Sequence, residues 1–290
     1  MTAGLLRAEW IKLRRMRITW LVLLFPVAAG LCGAILPTLA AADAVRRFGA
    51  RILQPLDTFT FPQSMLFGLQ IVELLGSILI VVFITSAVGN EYGFDTWKNL
   101  LARHGRRGAF LLTKLLYALA AVTILIVIVP ILVHLAMLLT FRAAAGFDFP
   151  QPAAPDGWQT FGGAWLLTWL RLAITASIGL FATVITRSGG AGVAIAVSWL
   201  VVDALANSLG TAFETSAWRS IAPFTFNFNL SALAAYLRGG AGDPSAEFIL
   251  REAEGLRAGV TLLHSLLNLA LYTLGLTALA MLVFRRRDVA

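Results

Sequence analysis

The sequence predicts an all-α membrane protein with six transmembrane helices, and three observations lead to this fold class. Hydrophobic residues make up 59% of the 290 residues and charged residues only 13%, about half the charged fraction of an ordinary soluble domain. The apolar residues are grouped in six runs of helical length, each long enough to cross a bilayer core. Lysine and arginine are concentrated between these runs. The composition also excludes a disordered chain, and the single Cys32 excludes a disulfide scaffold.

The six runs have the lengths expected of membrane-spanning helices. They are not the ten-residue alternating segments that build outer-membrane barrels. A dense basic segment precedes the first run, which is also too long for a cleavable signal peptide, so we expect it to be the first span. The predicted spans of a single transmembrane domain, residues 1–290, are 18–41, 64–88, 110–141, 162–186, 191–209 and 259–284.

The distribution of lysine and arginine predicts the orientation of the chain. Fourteen of them fall on the side of the two termini and eight on the opposite side. By the positive-inside rule, both termini are then cytoplasmic, in a plasma (inner) membrane. The basic isoelectric point of about 10.5 is therefore mostly a consequence of topology, and it does not indicate a nucleic-acid partner.

The N-terminal segment 1–17 is expected to form an elbow helix that lies flat on the membrane before the first span. Leu6, Trp10 and Leu13 have the spacing of one helix face, and arginines flank that face. The alternative is that the segment is only a basic flank that sets the topology.

A second short amphipathic helix is expected in the cytoplasmic segment 90–108, between spans two and three. Asp95 can cap this helix, and Trp97, Leu100 and Leu101 then form an apolar face. Such a face, exposed to the cytosol, indicates a protein partner. The alternative is that the face packs on the ends of its own spans.

The connection 210–258, between spans five and six, is too long for a tight link. Its apolar run, 221–237, is interrupted by Pro223, Asn227 and Asn229. We expect short re-entrant helices on or within the outer leaflet, with their breaks buried in protein or facing water.

Motifs for chemistry on this chain are absent from the sequence. There is no G-x-x-x-x-G-K-[ST], no H-E-x-x-H and no G-x-S-x-G. The three histidines are scattered along the chain, so no metal site can be argued. We expect no catalytic residue and no cofactor on this chain.

The ionisable residues inside the predicted spans include Glu73, His134, Arg171 and Asp203. Such residues usually face the interior of a bundle or water. Helix rise puts them at similar depths, roughly 10–14 Å below the outer surface. Pairing of Arg171 with Glu73 or Asp203 would remove an isolated charge from lipid. The cluster is either a structural lock between helices or the lining of a polar cavity that touches substrate.

Two segments resemble a known family. AEWIKLRRMRITW, residues 8–20, resembles the E-W-x-K-L-R-R opening of permease subunits of ABC-2 type ABC transporters. NEYGFDTWKNLLARHGRRGAFLLTKLL, residues 90–116, resembles their E-Y-x-x-G-T-W-x-N-L-L-x-R segment with its following basic pair and K-L. The nearest branch is the bacitracin- and lantibiotic-immunity type. The chain departs from the pattern at Asp95, where glycine is more frequent.

The resemblance implies a dimer of permeases, of one kind or of two close relatives, with separate cytoplasmic ATPase subunits that bind ATP and Mg²⁺. It implies that segment 90–108 is the coupling helix that docks on the ATPase. The residues that the resemblance assigns to this coupling are Glu91, Thr96, Trp97, Asn99, Leu100, Leu101 and Arg103. The residues that it assigns to the elbow at the inner interface are Glu9, Trp10, Lys12 and Arg14.

The expected function is therefore the transmembrane subunit of an ATP-driven exporter. Its substrate would be amphipathic or lipophilic, such as a peptide antibiotic, a drug or a lipid, although the fold does not fix the cargo. The alternative is a secondary transporter or channel that uses Glu73, Asp203 and Arg171 as an ion or proton relay. That alternative predicts internal repeats, and the two halves of the sequence show no convincing repeat.

Overall fold

A computed structural model describes residues 3–48, 60–93, 107–146, 157–213, 216–237 and 261–286. These residues are almost entirely helical, and no strand occurs among them. The predicted all-α class is therefore confirmed for the part of the chain that the structure describes.

Six helices are long and apolar enough to cross a membrane, as predicted, and they give the chain the character of a multi-pass membrane protein. The last of them consists of α9 and α10, joined by the π-helical turn Leu271–Gly275. The helices are α1 (Ala3–Arg15), α2 (Arg17–Phe48), α3 (Gln63–Gly93), α4 (Arg107–Ala145), α5 (Gly157–Thr186), α6 (Gly189–Phe213), α7 (Ser216–Ile221), α8 (Phe226–Leu237), α9 (Leu262–Ala270) and α10 (Leu276–Arg286).

The long helices extend beyond the predicted spans. The 39 residues of α4 have a length of about 58 Å at 1.5 Å per residue, almost twice the thickness of a bilayer core. Hydropathy marks only the part of a helix that needs an apolar environment. The polar turns at either end belong to the same helix and go unnoticed in the sequence.

Helices α3 and α5 form the centre of the bundle. In α5, 72% of the apolar window is buried, and in α3 50%, against 17% in α6 and in the last span. Helix α4 packs on α2 and α3, while α6, α8 and α10 pack on α5. The leucines exposed on α6 and on the last span, such as Leu205 and Leu263, therefore form the outer surface.

Small residues allow close contacts of the central helices. A Cβ atom on Gly68 of α3 would lie 2.7 Å from the Cα atom of Pro130 in α4. A Cβ atom on Gly89 would lie 2.4 Å from the Cα atom of Gly189, at the start of α6. Because both neighbours are backbone atoms, these two contacts require glycine, as is common between membrane helices.

The backbone between α7 and α8 leaves the α-helical pattern inside the protein. The Pro223 carbonyl accepts hydrogen bonds from His264 Nε2 at 2.9 Å and Asn268 Nδ2 at 2.8 Å. The Phe224 carbonyl accepts one from Tyr272 at 2.9 Å. The last span thus supplies the donors that this break needs away from water.

The contact between Gly68 and Pro130 yields a stability prediction. Gly68→Ala forces α3 and α4 apart and should lower the free energy of unfolding by about 1–3 kcal/mol. Gly162→Ala is the matched control, because nothing lies within 4 Å of its Cβ position in α5, and it should stabilise by less than about 1 kcal/mol. Unfolding by SDS in mixed micelles measures both changes, and equal effects would contradict the close contact.

Candidate functional site

A buried group of charges joins α1 to the two helix ends that border residues 94–106. Lys114 Nζ lies 2.8 Å from Glu91 Oε1 and 3.2 Å from Glu9 Oε2. Lys12 Nζ donates a further hydrogen bond to Glu91 Oε1. We call Glu9, Lys12, Glu91 and Lys114 the ionic cluster. Its two acids and two bases neutralise one another.

The ionic cluster decides which side of α1 faces the bundle. The Lys114 side chain is fully buried, and such an ammonium is tolerated only when it is paired. Glu9 of α1 supplies one partner, and Glu9 and Leu13, one turn apart, are both buried. Trp10 is instead 51% exposed, with its ring stacked on Tyr117 at a centroid distance of 6.0 Å. Leu13 therefore packs against the bundle, whereas Trp10 does not.

The remaining predicted coupling and elbow residues are placed as follows. Arg14 lies in the last turn of α1, where its carbonyl accepts a hydrogen bond of 3.1 Å from the Trp20 indole. Glu91 belongs to the last turn of α3. The predicted helix capped by Asp95 lies outside the described residues, as do Thr96, Trp97, Asn99, Leu100, Leu101 and Arg103.

A second group of polar side chains crosses the middle of the bundle. The Arg171 guanidinium donates hydrogen bonds to Glu73 Oε1 and, at 2.5 Å, to Asn227 Oδ1. Asn227 Nδ2 in turn donates to Asp203 Oδ2 at 2.5 Å. We call Glu73, Arg171, Asn227 and Asp203 the polar network. It connects one residue each from α3, α5, α8 and α6.

Asp203 is held at the start of α8. Its Oδ2 also accepts a hydrogen bond of 3.2 Å from the backbone N–H of Asn227, the second residue of α8. The first N–H groups of a helix lack partners within it and carry positive partial charge. The Asp203 carboxylate thus caps α8 from a neighbouring helix.

His134 does not hydrogen-bond to the other predicted intramembrane residues. Its Nδ1 lies 2.6 Å from Ser64 Oγ, and that hydroxyl also donates to the Thr60 carbonyl at 3.0 Å. The structure therefore brings together Glu73, Arg171 and Asp203. His134, in α4, lies apart from them and contacts Ser64 at the start of α3.

Sequence reasoning assigned no role in either group to Lys114 or Asn227. Lys114 lies within the predicted span 110–141, so it carries the same signal, an ionisable residue in an apolar run, that singled out Glu73. Asn227 was noted only as a break in an apolar run. Its capacity to bridge a base and an acid depends on three other helices and has no local signal.

A cleft runs along the polar network between α3, α5 and α8. One cavity, of 330 Å³, is lined by Glu73 and Arg171, whose side chains are 36% and 30% exposed. A second cavity, of 380 Å³, shares Gln70 and several apolar residues with the first and reaches Gln63, the first residue of α3. We call the two together the polar cleft.

The described residues hold no group of three or more His, Cys, Asp or Glu side chains that could bind a metal ion. The two groups of charges form ion pairs and hydrogen bonds.

The ionic cluster predicts a contrast between buried and exposed ion pairs. Lys114→Met leaves Glu9 without its lysine inside the protein, and it should lower the free energy of unfolding by about 3–5 kcal/mol. Arg47→Met removes an exposed pair with Asp43 of the same 2.8 Å length, and it should cost at most about 0.5 kcal/mol. SDS unfolding of both variants measures the difference, and a small effect of Lys114→Met would show that the ionic cluster contributes little to stability.

The polar network predicts an energetic coupling between Glu73 and Arg171. Each single change, Glu73→Gln or Arg171→Gln, leaves one charge uncompensated, whereas the double change removes both charges. The double variant should therefore be more stable than the sum of the two single effects indicates, by about 1 kcal/mol or more. A double-mutant cycle in SDS unfolding measures this coupling energy. A value near zero would argue against a structural lock.

Comparison with known protein families gives a match over most of the chain. The family model described as "Protein of unknown function (DUF2705)" matches residues 54–290. No curated protein and no solved structure matches the chain. The matched residues include α3 to α10, and with them the polar network, the polar cleft, Glu91 and Lys114. The chain belongs to the DUF2705 family.

Proposed function

We propose that this protein is the transmembrane permease subunit of an ATP-driven ABC-2 type exporter. The observation that carries the proposal is the ionic cluster. Two of its residues, Glu9 and Lys12, belong to the first segment that resembles ABC-2 permeases, and the other two, Glu91 and Lys114, belong to the second. The two segments are far apart in sequence, yet their charged residues pair with one another.

The ionic cluster suits the transmission of movement from an ATPase to the bundle. The proposed coupling segment, 90–108, begins in the last turn of α3 and ends in the first turn of α4. Through Glu91 and Lys114 both helix ends are tied to α1. A force on the coupling segment would therefore move α1, α3 and α4 together. ATP and Mg²⁺ bound to the partner ATPase would supply the free energy that separates the two states.

Helix α3 then carries the movement toward the polar cleft. Glu91 at one end and Glu73 in the polar network lie on the same continuous helix, about 27 Å apart along its axis at 1.5 Å per residue. A displacement of the α3 end would be felt at the contact between Glu73 and Arg171. The proposed exporter thus has a direct mechanical path from its ATPase to the cleft.

The proposal places the ends of α3 and α10 and the start of α4 at the cytoplasmic surface of the plasma membrane, following the positive-inside rule. Helix α1 would be the elbow at that surface, and α7 and α8 the re-entrant pair on the outer side. The functional unit would contain two permease copies and two ATPase subunits. It would move an amphipathic or lipophilic substrate outward.

The alternative, a secondary transporter with a proton relay, has less support. Arg171 and Asp203 are bridged by Asn227, an amide that does not titrate. Asp203 is also engaged in capping α8. The polar network therefore has interactions that account for its charges without a moving proton.

The proposal predicts that a P-loop ATPase co-purifies with the tagged chain in mild detergent and that the eluate hydrolyses ATP. The double change Trp97→Ala and Leu101→Ala should remove most of the ATPase, because it deletes the apolar docking face. The matched control is Trp199→Ala with Leu205→Ala, two exposed residues of α6, and it should retain the partner.

Three results would argue against the proposal. A chain that purifies alone, without ATP hydrolysis, would favour the secondary transporter. Full retention of the ATPase by the Trp97 and Leu101 variant would contradict the coupling segment. Equal loss in the Trp199 and Leu205 control would show that the effect is not specific to the coupling segment.

A further inference from the structure

We propose that the polar cleft is a binding site for amphipathic molecules whose polar part is uncharged and forms hydrogen bonds, such as an amide or hydroxyl group. The inference rests on the proposed function only in taking the bound molecule to be the transported substrate. It is argued from the charges, the unpartnered polar groups and the shape of the cleft.

The charges that line the cleft are already compensated. Arg171 pairs with Glu73 and also donates to Asn227. The pair therefore presents dipoles to the cleft and no net charge. An ionic ligand would have to break this pair or enter the cleft without a counter-charge, which is costly at low dielectric. An uncharged polar group faces neither penalty.

Thr168 of α5 contributes a polar group to the cavity. In the same helix, Thr175, Ser177 and Thr183 each donate a hydrogen bond to the carbonyl four residues earlier. Thr168 is only 3% exposed and lines the cavity, and it has no hydrogen-bond partner among the described residues. This hydroxyl is therefore available to a ligand group, to which it can donate and from which it can accept a hydrogen bond.

Two further polar side chains of the cleft are less buried than Thr168 and are also available to a ligand. Gln70 of α3 and Ser231 of α8 both line the cavity that contains Thr168, and neither has a hydrogen-bond partner in the part of the chain that the structure describes. An amide and two hydroxyls can each donate and accept. They therefore suit a ligand whose polar group both donates and accepts hydrogen bonds, such as an amide or a hydroxyl.

The rest of the lining suits an apolar chain attached to such a group. Leu66, Leu69, Leu167 and Leu230 surround the cavity. Its volume of 330 Å³ lies within the range of small-molecule sites, about 300–1,000 Å³. The neighbouring cavity leads to the first residue of α3 and the last residue of α8, so a ligand can reach the cleft from that end of the bundle.

Protection of a cysteine in the cleft tests the inference on the full chain in proteoliposomes. The variant Cys32→Ser with Ser231→Cys carries one thiol, whose reaction with a membrane-impermeant maleimide is timed. Three probes share a dodecanoyl chain and differ in charge: N-dodecanoylglycinamide is neutral, N-dodecanoylglycine is an anion, and N-dodecanoylethylenediamine is a cation. The neutral probe should slow labelling at a concentration at least about tenfold lower than either charged probe.

Removal of a single hydroxyl then distinguishes binding in the cleft from nonspecific effects of the probes on the membrane. Thr168→Val should raise the protective concentration of the neutral probe about tenfold, because one hydrogen bond to the ligand is lost. Thr183→Val, in the same helix, should leave it unchanged, because that hydroxyl is already bonded within α5. Labelling of Ala143→Cys, exposed in the last turn of α4 and outside both cavities, should not respond to any probe.

Four outcomes overturn the inference: a cysteine at position 231 that does not react, labelling that no probe slows, charged probes that protect equally well, or equal effects of the two valine changes. Because the test needs no ATPase, it can fail while an ATPase still co-purifies with the chain. It can also succeed where none does, so its outcome is independent of the proposed function.

Discussion

The side chain of Lys114 is fully buried, and an unpaired ammonium in that position would cost several kcal/mol. Glu9 and Glu91 compensate it, and Lys12 completes the balance. This requirement fixes how α1 lies against the bundle, because Glu9 must reach the lysine from a separate helix. It also holds the end of α3 beside the start of α4. The packing at this end of the protein therefore follows from one buried positive charge.

The charges in the middle of the bundle also need compensating partners, and they find them in a different arrangement. Arg171 and Glu73 neutralise each other across α5 and α3, whereas Asp203 is held by the N-terminal N–H groups of α8. Asn227 joins the two arrangements through its amide. Helix α8 can therefore begin inside the protein, since its first turn has an acid as its cap. The carbonyls of the preceding turn are satisfied by the last span.

Helix α3 connects these two sites. It is among the most buried spans, it contributes Glu91 to the ionic cluster and Glu73 to the polar network, and glycines at positions 68 and 89 bring it against α4 and α6. A helix in this position cannot move at one end without a change at the other. This continuity supports the proposed path from an ATPase subunit to the polar cleft.

Hydropathy and run length are properties of consecutive residues, so they are enough to predict the six apolar helices. They also single out Glu73, Arg171 and Asp203, since a charge in an apolar run is visible locally. The pairing partners become known from the folded chain alone: Lys114 with Glu9, 105 residues away, Asn227 between Arg171 and Asp203, and Ser64 with His134. Pairing depends on distances between helices, and hydropathy carries no information about which helices are neighbours. For the same reason the sequence alone does not show that Glu9 of α1 faces the bundle.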